Sequence, residues 1–293
     1  MQHETVLLHE AVEALAIRPD STIVDATFGA GGHARAILSQ LSDAGHYIGI
    51  DTDQTALRHK LSEQQNVTLA HGNFRELTSI IGSLHTKEKV DGILADLGWR
   101  MEQFSGNGRG FSFRHDEPLL MTLGDPVEYD FTARDIVNGW DEHVLADIIF
   151  GYGEERFARR IAKRIVEVRD EHPIETSMQL SDLVVSAYPA AARHGRTHAA
   201  TKTFQAIRIA VNDELTAIEQ LIEHGINLLS THGRLVIITF HSIEDRVVKH
   251  AFKAAAAAKR GQIITKKPIT PSSEELEHNP RARSAKLRIF EAL

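Results

Sequence analysis

Short β-branched runs alternate along this chain with longer stretches in which apolar residues recur every three or four positions. A helical face over residues 6–15 carries Val6, Leu7, Leu8, Ala11, Val12 and Leu15. Ile23 and Val24 then lead as a strand into Asp25, Ile37, Leu38 and Leu41 follow at helical spacing, and Tyr47, Ile48 and Ile50 make a second strand closing on Asp51. A helix over 55–62, a third strand over 67–70 and a fourth over 90–97 continue the alternation. Strands this apolar are covered by helices on both faces, so the pattern predicts an α/β fold with a mostly parallel, Rossmann-like sheet. Over 99–125 the periodicity dissolves into a loop dense in Gly and aromatic residues, and from 131 to about 201 there are helices and no strand. The alternation then resumes: a helix over 204–229, a fifth strand in THGRLVIITFH, a helix over 243–259, a polar linker, and a last edge strand carrying Leu287 and Ile289. Ser242 and Asp245 have the spacing of a capping box. The expected organisation is a core of residues 1–125 and 203–293, interrupted by an all-helical subdomain at 126–202.

The first strand runs into the turn Gly29, Gly31, Gly32, which lets a ligand lie against bare backbone, and Asp51 follows the turn at the distance where nucleotide-binding folds place a ribose-binding carboxylate. Two ligands suit this unit. A dinucleotide site spells G-x-G-x-x-G and rests a pyrophosphate on the following helix; here the third glycine comes at once and His33 succeeds it. S-adenosylmethionine, which has no phosphate, matches better, and NAD stays as the alternative. Later strand exits add candidates: Phe74 to stack on an adenine, Asp96 beside Gly98, and His241 with Ser242. Arg109, Phe111, Phe113 and Arg114 form an aromatic and cationic group suited to clamping a base.

Composition narrows the class. The 293 residues include 42% hydrophobic ones, enough for a sizeable core, and no cysteine, which excludes disulfides and thiolate-bound zinc. The N-terminus reads neither as a signal peptide nor as a membrane span, so a cytoplasmic location is expected. The net charge of -7 is unevenly placed: residues 156–208 hold ten Lys or Arg against five acids, and 259–288 hold eight against three. In EERFARRIAKRIVEVR, Phe157, Ile161, Ile165 and Val168 make one stripe, while Arg156, Arg159, Arg160, Lys163 and Arg164 lie off it, a face fit for a polyanion.

Taken in order, HETVLLHEAVEAL, DATFGAGGHARAIL, DTDQTAL, DGILADLG, RGFSF, YGEERFARRIAKRIV, TKTFQAIRIAVNDEL, ITFHSIEDRVVKHAF and NPRARSAKLRI cover essentially the whole chain. The set resembles the bacterial methyltransferases that modify the N4 amine of a cytosine in the decoding region of 16S ribosomal RNA. The resemblance implies a class I S-adenosylmethionine-dependent methyltransferase fold with a helical insert. It places the cofactor against Gly31, Gly32, His33, Asp51, Phe74, Asp96 and Gln103. It also implies 16S rRNA in the small ribosomal subunit as partner. The methyl transfer needs no metal, and the residues leave a monomer and a homodimer both open. Asp96 and His241 are the candidates for handling the target amine, and Arg156, Arg159, Arg160, Lys163 and Arg164 for gripping the RNA. Two segments depart from the family pattern: DLGWRMEQ replaces D-L-G-V-S-S-P-Q, and EPLLMTL replaces G-P-L-D-M-R-M, with Glu117 for a glycine and Leu120 for an acid. Both fall where the target base is expected, so a non-catalytic relative that binds donor and rRNA is the second reading.

Overall fold

The structure is a computed structural model that describes residues 4–84, 88–97, 108–193 and 197–293. In chain order its main elements are α1 (Leu8–Ala14), β1 (Thr22–Asp25), α2 (Gly32–Leu38), β2 (His46–Asp51), β3 (Val67–His71), α3 (Leu77–Ser83) and β4 (Val90–Asp96). Then come α4 (Ala133–Gly139), α5 (Glu142–Gly153), α6 (Ala158–Arg169), α7 (Ser177–Ala187), α8 (Thr201–Asn212) and α9 (Glu214–Leu228). The chain ends with β5 (Leu229–Thr239), α10 (Ser242–Ala257), β6 (Gly261–Ile263), α11 (Ser273–His278) and β7 (Lys286–Ala292). The fold divides into two compact units, one within residues 1–98 and 215–293, the other within 99–214.

The first unit is built on a sheet of order β3-β2-β1-β4-β5-β7-β6, parallel except for β7, which runs antiparallel to both of its neighbours. Successive strand side chains point to opposite faces, and the strands are apolar on both. Val24, Ile48, Ile93 and Ile237 enter one core with Ile218, Leu221 and Phe252, whereas Ile23, Tyr47, Leu94 and Val236 enter the other with Leu7, Ala11, Leu15 and Ile37. Chain order reverses between β1 and β4, the crevice where open α/β sheets bind ligands. Among the described residues no helix is long and apolar enough to cross a membrane.

Three sequence expectations are corrected in this unit. Residues 55–62 form turns and a short 3-10 segment rather than an α-helix: Thr55 N–H and Oγ1 both bond the Asp53 carboxylate, and His59 Nδ1 accepts from Leu61 N–H. Such local side-chain bonds offer the backbone an alternative to the helix ladder. The last strand, β7, is not at an edge, because Gly261–Ile263, inside the stretch read as linker, pairs outside it; three residues are too few to show a period. The capping box at the start of α10 is His241 with Glu244, one position earlier than the Ser242 and Asp245 spacing suggests.

The second unit packs α4 to α8 around a core that includes Ile136, Leu145, Ile149, Ile161, Ile165, Val184 and Phe204. It extends beyond the 126–202 expected for a helical insert. Phe111, Leu119 and Met121 from the irregular segment enter the same core, and so do Ile207 and Val211 of α8. Asn212 holds that segment, accepting from Leu123 N–H and donating to the Met121 carbonyl.

Candidate active site

Parallel pairing brings the ends of β2, β1 and β4 to one edge of the sheet, and each ends in an acid: Asp51, Asp25 and Asp96. Asp25 is buried and accepts from the Tyr47 hydroxyl at 2.8 Å and from Thr27 N–H at 3.1 Å. Burial pushes its carboxyl up to about 6 against the pull of the Tyr47 and Thr27 hydrogen bonds, and the nearby charge of Asp51 adds to the rise. Tyr47 is itself pushed well above its ordinary value, by burial first and then by Asp25.

Asp51 is half-buried and divides its two oxygens, one accepting from Gly29 N–H and the other from Asp53 N–H, both at 2.8 Å. It thereby ties the glycine turn to the end of β2. The turn needs glycine at Gly29 and Gly31, whose φ angles of 58° and 71° lie in the left-handed region. Gly32 opens α2 for a different reason: a Cβ there would lie 1.8 Å from Thr5 Oγ1. Thr27 completes the join, because its hydroxyl accepts from Asp96 N–H at 2.7 Å and so links the exit of β1 to that of β4.

The remaining candidates sit as follows. His33 is buried on the first turn of α2. Phe74 is half-buried against the core beside α3, just after Asn73, whose side chain accepts from Arg75 N–H. His241 stands at the exit of β5, beside that of β4, and is engaged in the helix cap: Nδ1 accepts from Glu244 N–H, Nε2 lies 3.0 Å from Glu244 Oε1, and Glu244 Oε2 accepts from His241 N–H. With its ring engaged in this way, His241 serves to hold the start of α10. Gln103, Gly98 and the altered residues Trp99, Arg100, Met101 and Glu102 lie outside the described residues. Of the side chains now seen at the site, sequence reasoning passed over Thr5, Thr27 and Tyr47. Only Thr27 left a signal, as the second residue after an Asp where Asx turns form.

In the second unit three of the four residues read as a base clamp make contacts within the fold. The Arg109 guanidinium donates to the carbonyls of Thr122, Leu123 and Gly124, Phe111 is core, and Phe113 stacks on His198 at 4.4 Å with its edge toward Phe204. Glu117, where the family pattern has glycine, is buried and accepts from Gly110 N–H at 2.9 Å. On α6, Ala158, Ile161, Ala162 and Ile165 are buried, and Arg159, Arg160, Lys163 and Arg164 are exposed, as is Arg156 just before it. Lys163 and Arg164 pair with Glu167, and Arg156 lies over the Phe157 ring at 4.6 Å. Arg159 and Arg160 have no ion-pair partner among the described residues.

A seven-stranded sheet with a reversed β7, a left-handed glycine turn after β1 and acids at the ends of β1, β2 and β4 define a class I S-adenosylmethionine-dependent methyltransferase. More narrowly, the chain belongs to the MraW methylase family, which it matches over residues 1–293. It is 45% identical over 310 aligned positions to the ribosomal RNA small subunit methyltransferase H of Brevibacillus brevis, covering 99% of this chain and 98% of that protein. It also aligns with the crystal structure of an rRNA methylase from Streptococcus thermophilus at a TM-score of 0.45 and 13% identity, covering 100% of this chain and 99% of that one. The residues present fit the cofactor of the class. A nucleoside without phosphate calls for a carboxylate toward its ribose and bare backbone toward its amino-acid end, and Asp51 with the glycine turn offers both at one sheet edge.

Proposed function

We propose that this chain methylates the N4 amine of a cytosine in small-subunit ribosomal RNA. What carries the reading is the edge of the sheet at the topological switch point, where Asp51 is bonded to the glycine turn and Thr27 to Asp96. The 45% identity to a small-subunit rRNA methyltransferase supports the RNA as substrate class.

In this reading Gly31, Gly32, His33, Asp51 and Phe74 hold the donor, with Gln103 as a further contact, and Asp96 faces the acceptor. Bound S-adenosylmethionine supplies an electrophilic methyl carbon on a sulfonium. The chain's task is to orient a poor nucleophile, since the N4 lone pair is delocalised into the cytosine ring. A carboxylate accepting hydrogen bonds from the amine reduces that delocalisation, and Asp96 is suited to this because Thr27 fixes its backbone. Holding the reacting atoms at about 3 to 3.5 Å provides the remaining advantage. His241 contributes by setting the start of α10 beside Asp96. Arg156, Arg159, Arg160, Lys163 and Arg164 take the RNA phosphates, and their attraction offsets the cost, about a few kcal/mol, of turning a paired base out of its helix.

Small ribosomal subunits from cells lacking the enzyme, incubated with the chain and methyl-labelled donor, test this directly. Digestion to nucleosides is expected to show the label in N4-methylcytidine. Label in another nucleoside would replace the acceptor assignment, and tight donor binding with no label in the RNA would favour the non-catalytic relative.

A further inference from the structure

Residues Glu4–Leu7 precede the first strand by fifteen positions or more in sequence, yet they are clamped onto the glycine turn from the far end of the chain. Leu7 N–H donates to Glu275 Oε1 at 2.8 Å, across 268 residues, and Asn279 Nδ2 donates to the Glu4 carbonyl at 3.4 Å from a buried position. The clamp holds an unfavourable backbone. Leu7 is in the left-handed region, at φ 51° and ψ 36°, which costs a bulky L-residue about 1 to 2 kcal/mol, while its side chain is fully buried. Strain of this kind persists where the surroundings over-determine it, and its effect here is to aim Thr5 at Gly32.

The approach is close enough that any side chain at position 32 would force Thr5 to shift: beyond the 1.8 Å to Oγ1, a Cβ there would stand 3.0 Å from Thr5 Cβ and 3.2 Å from Cγ2. Thr5 is half-buried, and its hydroxyl has no hydrogen-bond partner among the described residues. The strained, doubly clamped segment thus holds the Thr5 hydroxyl directly over the backbone of the glycine turn, with its hydrogen-bonding capacity not spent on the described residues. We propose that Glu4–Leu7 form a wall of the methyl-donor site, with Thr5 as a donor-positioning residue and Glu275 and Asn279 as the latch that keeps it there. This rests on the reading that the donor lies against the glycine turn, and it assigns to Glu4–Leu7, Glu275 and Asn279 a part in donor affinity.

Calorimetric titration of the full chain with S-adenosylhomocysteine separates the two levels. Thr5→Val keeps the shape and removes the hydroxyl, and is expected to weaken binding about fivefold, the value of one hydrogen bond. Thr5→Ser, which keeps the hydroxyl, is expected to bind as the parent does, and Glu275→Ala to weaken binding by a similar factor through release of Leu7. Asp51→Ala is the control and is expected to abolish binding. If Thr5→Val and Glu275→Ala bind like the parent while Asp51→Ala does not bind, the wall proposal is overturned and the donor site stands. Equal losses in Thr5→Val and Thr5→Ser overturn the hydroxyl's role. Parent-like binding by Asp51→Ala removes the donor-site reading and the proposal with it. Should a variant not fold, hydrogen exchange on the parent decides: protection of residues 4–8 on adding S-adenosylhomocysteine is expected, and unchanged exchange there overturns the proposal.

Discussion

Polar side chains at the ends of the strands spend their first bonds on one another, and this is why some of them were legible in the sequence and others not. Asp25, Asp51 and Asp96 announce themselves, because an acid ending an apolar run stands out against it. Their partners do not. Tyr47 reaches Asp25 across 22 positions and Thr27 reaches Asp96 across 69, separations at which no local spacing carries information. Arg109 shows the opposite failure: an exposed-looking cation in a glycine-rich loop turns out to hold three carbonyls of its own chain. The Thr5–Gly32 contact gives a prediction at this scale. Gly32→Ala is expected to destabilise the chain by about 1 to 3 kcal/mol, the usual cost of overpacking, and by clearly less in a Thr5→Ala background. Urea unfolding of the two single variants and the double variant measures the coupling, and additive effects would show that the two residues do not meet.

Elements were read more securely than residues. The stripe of α6 emerges on its buried side as the period of 3.6 requires, and its cations are exposed. Because Arg159 and Arg160 are not engaged in ion pairs among the described residues, they are the cations freest to release counterions from RNA. Arg159→Glu with Arg160→Glu is expected to weaken binding of small-subunit RNA and to lower the salt dependence of log K by about 1.4 to 1.8, at about 0.7 to 0.9 per phosphate contact. Donor affinity should be unchanged. Filter binding over a potassium chloride series measures the slope, and a parent-like slope would place the RNA elsewhere. A second prediction concerns how β7 is held. Asp245 on α10 takes Arg288 at 2.6 Å and Lys286 at 3.1 Å from that strand; burial works against its charge, but these bonds prevail and hold the carboxyl below its ordinary value. Asp245→Asn leaves the buried Arg288 without its counter-charge and is expected to cost about 3 kcal/mol or more in chemical denaturation. The spacing that made Asp245 look like a cap residue was real, but the helix starts one residue earlier than that reading needs.

For the molecule as a whole, the buried Asp25 predicts a pH dependence. Its folded carboxyl titrates at about 6 against 3.8 for the ordinary group, so between those values the folded chain holds a proton that the unfolded chain has lost. Stability attributable to Asp25 therefore falls as pH rises from about 4 to about 6, by about 3 kcal/mol in all, and stays reduced above that. Asp25→Asn is expected to remove this slope: the difference in unfolding free energy between variant and parent should move in the variant's favour from pH 4.5 to pH 7. A difference that is flat with pH would show that burial does not raise the Asp25 carboxyl in the folded chain. The sequence by itself determined the kind of molecule. Strand and helix periods, the glycine turn and the acids at strand exits are local properties, dictated by backbone geometry and by which side chains tolerate burial. Only the tertiary structure decided the rest: that β7 lies between β5 and β6, that the irregular segment joins the helical unit's core, and that Glu275 of α11 latches Leu7 and so holds Thr5 against Gly32. Those contacts join residues far apart in the chain, whose pairing is selected by the closure of the whole fold rather than by any pattern nearby.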